Sequence, residues 1–158
     1  MSTALDLYAT TNPPFGSALV WSFLAGAGES GEALELPLLF LPLPILLSST
    51  RETLTHTNRR TGFHPWLKRH PEVRVDLASR VDRMRSITRR AILYGCRVQL
   101  IAADSDFRFS ASGLLRETTL SRTGPAVRAM FPLARRLGAW IGEVGSTRDV
   151  LYALGLTV

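Results

Sequence analysis

Cys96, His56, His64 and His70 are the side chains best suited to nucleophilic, proton-transfer or metal-ligating chemistry. A cysteine becomes a nucleophile when its thiolate is stabilised in a partly open setting. Cys96 instead follows Gly95 on the apolar side of a helical pattern, where a lone cysteine serves as a small buried hydrophobe. No two of the histidines stand four residues apart, the spacing that puts a pair of ligands on one helix face. His64 and His70 each precede a proline, which points to turn or surface roles. The glycine run GAGESGE at 26–32 ends in acid and lacks the lysine–serine pair of a phosphate cradle. Glu52 and Glu72 have no evident acidic partner for paired-carboxylate catalysis. These residues therefore predict no catalytic set, no metal and no cofactor.

Arginine offers more. Eighteen of the 19 basic residues are arginine, with Lys68 the exception. A planar guanidinium makes the bidentate contacts to carboxylate and phosphate that lysine cannot. The formal charge of +6 is distributed unevenly. Residues 1–50 carry −4 and contain no Lys or Arg, residues 51–97 carry +8, and residues 98–158 carry +2. The candidate partner or nucleic-acid contacts are Arg80, Arg83, Arg89, Arg90, Arg97 and Arg108. In one reading, ITRRAILYGCR at 87–97 followed by a hairpin at 98–111 forms the recognition helix and wing of a winged helix-turn-helix domain. Arg89, Arg90 and Arg97 then face phosphates or guanine edges, and Arg108 sits on the wing. In another, the same arginines dock an acidic protein. The bland alternative is a solvated basic face, with Asp76–Arg80 and Asp82–Arg85 as surface pairs.

The elements that must position these residues follow from spacing. Asn12 before Pro13 and Pro14 is an N-cap followed by prolines in the first turn, opening a largely buried helix over about 13–26. LPLLFLPLPILL (36–47) is too short and too proline-rich to span a bilayer, which needs about 20 residues. It predicts a short, proline-bent helical segment in the core, part of which is an alternative candidate for an interface. Ser49 and Glu52 have capping-box spacing for a helix over about 50–57. FHPWLKRHP predicts a single turn bounded by Pro65 and Pro71, followed by a long helix over 72–97 with a break near Ser86. Alternation of Phe107, Phe109 and Ala111 predicts one buried face on the hairpin. Gly124 and Pro125 open the C-terminal helices. Leu133, Leu137, Trp140, Ile141 and Val144 line one face there, with Arg135 and Arg136 directed away from it. Ser146 and Asp149 cap the last helix.

At 158 residues with 46% hydrophobic and 20% charged content, the chain suits a single globular domain. The fold class is mainly α: a compact helical domain with one β-hairpin, winged helix-turn-helix-like. It divides into a helical part over 1–70, a helix plus wing over 72–112 and C-terminal helices over 124–155. One cysteine fits a reducing compartment, and residues 1–20 lack a basic leader, so a cytoplasmic protein without a membrane segment is expected.

Three motifs in order, YATTNPPFGSALVW (8–21), LPLLFLPLPILLSSTRETL (36–54) and RRLGAWIGEVGSTRDVLYALGL (135–156), with RRAILYGCRVQLIAAD between the last two, resemble the middle component of bacterial three-component ABC-ATPase systems. Pro14 and Pro42 depart from the commoner pattern and leave the form of segment 36–47 open. The resemblance implies a non-enzymatic adaptor linking an SMC/RecN-like ABC ATPase to a third component in a bacterial anti-plasmid or anti-phage system. It carries no catalytic residues. The partners it implies are those two proteins, with DNA contact as a further alternative, and the matching motifs around Asn12–Pro13, Pro44 and Gly138/Trp140 are architectural.

Overall fold

The computed structural model describes residues 12–115 and 124–157. The first helix, α1 (Pro13–Gly28), is capped by Asn12, whose side chain accepts from the Phe15 amide at 3.3 Å. Its apolar residues spread around the whole circumference, so it is buried on nearly every side and forms the axis of the fold. The loop after it leads into a two-residue strand, β1 (Leu34–Glu35).

Segment 36–47 enters the core as two helical pieces, as its prolines demand. A 3-10 turn covers Leu36–Phe40, and α2 covers Pro42–Leu46. Pro37 and Pro42 sit at the openings of these pieces, where a missing amide costs no hydrogen bond. Leu41 to Leu47 are all buried. The exposed residues of this segment are Leu36 and Pro37 at its start.

Next comes α3 (Arg51–Thr55), which stops short of the C-terminal end that its spacing predicts. The expected capping box does not form. Ser49 is exposed and offers only its carbonyl to Glu52, while the Thr50 hydroxyl turns inward to the Ile45 carbonyl at 3.1 Å. A 3-10 turn at Arg59–Thr61 precedes α4 (Phe63–Arg69), which continues through Pro65 because that proline lies in its first turn. Pro71 opens a further 3-10 turn to Arg74.

The long helical pattern is interrupted twice. Asp76 adopts the left-handed conformation (φ 55°) and starts α5 (Leu77–Arg83). Met84 breaks the chain before α6 (Arg85–Arg97), two residues earlier than Ser86 suggests. Gly95 lets α6 close on the fold: a Cβ there would meet the Ser17 hydroxyl of α1 and the Ile101 side chain at 2.5 Å.

The hairpin is β2 (Ile101–Ala103) and β3 (Arg108–Ala111), with Asp104 Oδ1 accepting from the amides of Asp106 at 2.9 Å and Arg108 at 3.0 Å. β1 joins on the far side of β3, with Leu34 opposite Phe109 and Glu35 opposite Arg108, giving an antiparallel sheet of order β1-β3-β2. The expected apolar face holds at Phe109 but fails at Phe107. That residue lies on the turn at φ 56°, outside the strand, and is 77% exposed.

After the undescribed residues 116–123, α7 (Pro125–Arg128) and α8 (Met130–Val144) follow. Pro132 is tolerated in the first turn of α8, and Gly145 ends that helix in the left-handed region (φ 74°). Ser146 accepts from the Asp149 amide at 3.2 Å and caps α9 (Thr147–Ala153) as its spacing predicts. The core is continuous from Phe15 to Leu154. At its centre the Trp66 and Trp140 rings pack with centroids 5.4 Å apart.

Candidate functional site

Among the described residues, the mainly helical fold brings some arginines to oxygen atoms of the chain itself and leaves others without side-chain partners. Arg80 is the most engaged. Its guanidinium donates to the carbonyls of Pro44 (3.2 Å), Val73 (3.0 Å) and Val75 (3.1 Å) and to the hydroxyls of Ser48 (2.7 Å) and Thr50 (3.4 Å). These hydrogen bonds tie the end of α2 to the 3-10 turn before α5. Burial lowers the Arg80 pKa from its usual value, and Asp76 opposes that shift electrostatically. The expected Asp76–Arg80 surface pair is therefore replaced by an inward clamp, and Arg80 leaves the set of freely presented contacts.

Arg108 leaves it too. Its two terminal nitrogens lie 3.9 Å from Glu32 and 3.8 Å from Glu35, because the sheet register sets Glu35 directly opposite. Arg135 and Arg136, expected to point away from the core, are engaged as well. Arg135 donates to Glu29 at 2.8 Å, and Glu29 also pairs with Arg59. Arg136 reaches the carbonyls of Leu54 and Thr57 at the end of α3. Glu29, Glu32 and Glu35 thus pair with arginines that are remote in sequence. Composition alone could not reveal this, because pairing depends on which segments meet.

Among the described residues, Arg60, Lys68, Arg69 and Arg148 are exposed without a side-chain partner, and a further group of unpaired arginines lies on α5 and α6. Arg83, Arg89, Arg90 and Arg97 are exposed, and their side chains have no hydrogen-bond or ion-pair partner among the described residues. Arg89, Arg90 and Arg97 share the outer face of α6 with Leu93, which is 59% exposed, and Val98 just past the helix end is 43% exposed. Asp82–Arg85 is the one predicted surface pair that forms, at 2.7 Å. The hairpin tip carries Asp104, Asp106 and the exposed Phe107. Periodicity marks the Arg-bearing side of α6 but gives no sign that Leu93 stands exposed among those arginines.

Two open grooves flank α5. One, about 400 Å³, is lined by Pro37, Phe40, Val81 and Leu151, with Asp82 and Arg85 at its edge. The other, about 420 Å³, lies between α2 and the α5–α6 junction, with Arg80 and Arg83 among its lining residues.

The residues first weighed for catalysis are scattered. Cys96 is exposed rather than buried, because the α6 stripe that packs inward runs through Thr88, Ala91, Ile92 and Gly95. Desolvation raises its thiol pKa, the opposite of activation. His70 meets Glu72 at 3.2 Å on the surface, and His56 and His64 are exposed. Among the described residues, no group of three or more His, Cys, Asp or Glu side chains is placed to hold a metal ion. No helix among them is long and apolar enough to cross a membrane.

Comparison with known proteins agrees with the motif pattern. The family model described as ABC-three component (ABC-3C) system Middle Component 3 matches residues 3–158. No curated protein matches the chain, and no solved structure does. With nearly its whole length covered by that match, the chain belongs to the middle-component family of ABC-three component systems.

Proposed function

We propose that the protein is a non-enzymatic adaptor, joining the ABC ATPase of its system to the third component through the outer face of α6. Membership of a three-component system supports protein partners. The observation that carries the reading is the uncompensated row Arg89, Arg90 and Arg97 set around the exposed Leu93. Guanidinium groups beside an exposed leucine match a protein surface that offers both carboxylates and an apolar anchor. An SMC/RecN-like ATPase acting against plasmids or phage fits the same resemblance.

A second reading is direct DNA contact, favoured by three unpaired arginines on a helix that precedes a hairpin. The hairpin tip works against it. Asp104 and Asp106 stand where a wing would approach phosphates, and the wing arginine Arg108 lies between Glu32 and Glu35.

Co-expression of the three components of the system tests the adaptor reading. The expected result is a complex that co-purifies at moderate salt and loses a component when Arg89 and Arg90 are both replaced by Glu. A wild-type chain that elutes alone overturns it. Duplex binding with a steep salt dependence, together with no protein complex, selects the DNA reading.

A further inference from the structure

The groove between α2 and the α5–α6 junction differs from its neighbour in charge. Its floor is Pro44, Leu47, Met84 and Ile87, its rim carries Arg80 and Arg83, and no carboxylate lines it. Arg80 directs its terminal donors to five neutral oxygens of the chain and feels the Asp76 carboxylate, so the freely presented cation at this rim is Arg83. Arg83, one turn along, has no ion-pair partner among the described residues. In the other groove, by contrast, Asp82 and Arg85 are joined and the rim is neutral.

We propose that this basic-rimmed groove is the docking site for an acidic amphipathic helix of a protein partner, apolar side down on Met84 and Ile87 and carboxylates towards Arg83. Charge complementarity selects the occupant: an apolar floor with the unpaired Arg83 at its edge and no carboxylate in its lining takes a segment that is both oily and anionic. The walls are helices and the turn at the end of α2, with their backbone groups largely engaged, so no strand edge is offered to an extended peptide. A DNA backbone would use the arginines but leave the apolar floor uncovered. The proposal rests on the adaptor reading and assigns it a second contact, adjoining the α6 face at Ile87.

The probe is a fluorescein-labelled peptide of about 14 residues, roughly four helical turns, with leucines at i, i+3, i+4 and i+7 and glutamates elsewhere. Fluorescence anisotropy with the full chain should show binding that weakens with salt. A peptide carrying Lys in place of Glu should bind at least about tenfold more weakly. Arg83→Glu and Ile87→Asp should each weaken the acidic peptide about tenfold or more, while Arg148→Glu on α9 should leave it unchanged. Arg83 is exposed and makes no ion pair, so its variant keeps the test valid even if Ile87→Asp fails to fold. Equal binding of acidic and basic peptides, or full binding by Arg83→Glu, overturns the proposal. A three-component complex that forms normally with Arg83→Glu removes the groove and leaves the adaptor reading standing. A wild-type chain that forms no complex sinks the adaptor reading itself.

Discussion

Gly138 of α8 lies directly beneath the Phe23 carbonyl of α1, leaving no room for a Cβ. The same close approach repeats one turn on, where a Cβ on Gly142 would stand 2.9 Å from the Ala27 carbonyl oxygen. Phe23 faces Gly138 and Ala27 faces Gly142, so the two helices run in the same direction although they are far apart in sequence. Gly26 completes the seam from the α1 side, against the backbone of Arg135 and Ala139. This backbone-to-backbone approach lets Arg135 and Arg136 reach Glu29 and the end of α3.

Gly138→Ala should therefore be severely destabilising, by about 3 kcal/mol, because the obstructing atoms are backbone and cannot swing aside. Gly28→Ala, at the exposed end of α1 with nothing within 4 Å of the added Cβ, should be neutral or stabilising by at most about 0.5 kcal/mol. Urea denaturation of the pair separates the two effects. Equal midpoints would show that the seam is not closed as described.

Arg80→Ala should cost about 2 kcal/mol, the order expected when a charged donor is withdrawn from several partly buried acceptors. Arg80→Lys should recover only part of that, since an ammonium cannot reach Pro44 and Val75 from one fork-shaped group. Thermal melts give the ranking wild type, Lys, Ala. A Lys variant as stable as wild type would mean that charge alone, and not the fork, holds α2 to the turn before α5.

Local chemistry is readable wherever one residue decides one feature. Asn12 and Ser146 cap their helices, Gly145 ends α8, and the prolines of segment 36–47 break it into two helical pieces. Features set by distant segments are not readable. The strand Leu34–Glu35 is two residues long and exists because β3 offers it an edge, so no periodicity could announce it. Arg80 looks like a surface residue paired with Asp76 because i,i+4 spacing is all a linear pattern can offer. Its real partners at Pro44, Ser48 and Thr50 come from another part of the chain. Cys96 departs from expectation for a related reason: the drift of a 3.6-residue period puts it one position outside the stripe that Gly95 occupies.

Cys96 gives a pH-dependent prediction. Its pKa is raised by desolvation, so in the pH range between the ordinary thiol value and the raised one the folded protein carries less thiolate than the unfolded chain. Iodoacetamide labelling of native protein at mildly alkaline pH should lag behind a urea-unfolded control, and the gap should narrow as pH rises further. Native labelling faster than the control would reveal an activated thiolate and reopen an enzymatic role.

The outer face of α6 can be separated from the folding core by the same logic that exposes it. The side chains of Arg89, Arg90 and Arg97 make no hydrogen bond or ion pair among the described residues, so Arg89→Ala combined with Arg90→Ala should shift stability by no more than about 0.5 kcal/mol. The same double variant should weaken association with the partner subunits several-fold and flatten its dependence on salt, because two solvent-facing charges contribute chiefly to steering and encounter. Leu93→Ala removes apolar area without removing charge. It should weaken the complex while leaving the salt dependence of the wild type intact. A different outcome marks a face that reads a nucleic-acid backbone: Leu93→Ala has no effect, and the arginine variant makes a steep salt slope shallower by about 0.9 for each phosphate it no longer neutralises. Charge and apolar area sit on one helix turn here, and only an interface that uses both will respond to both substitutions in different ways.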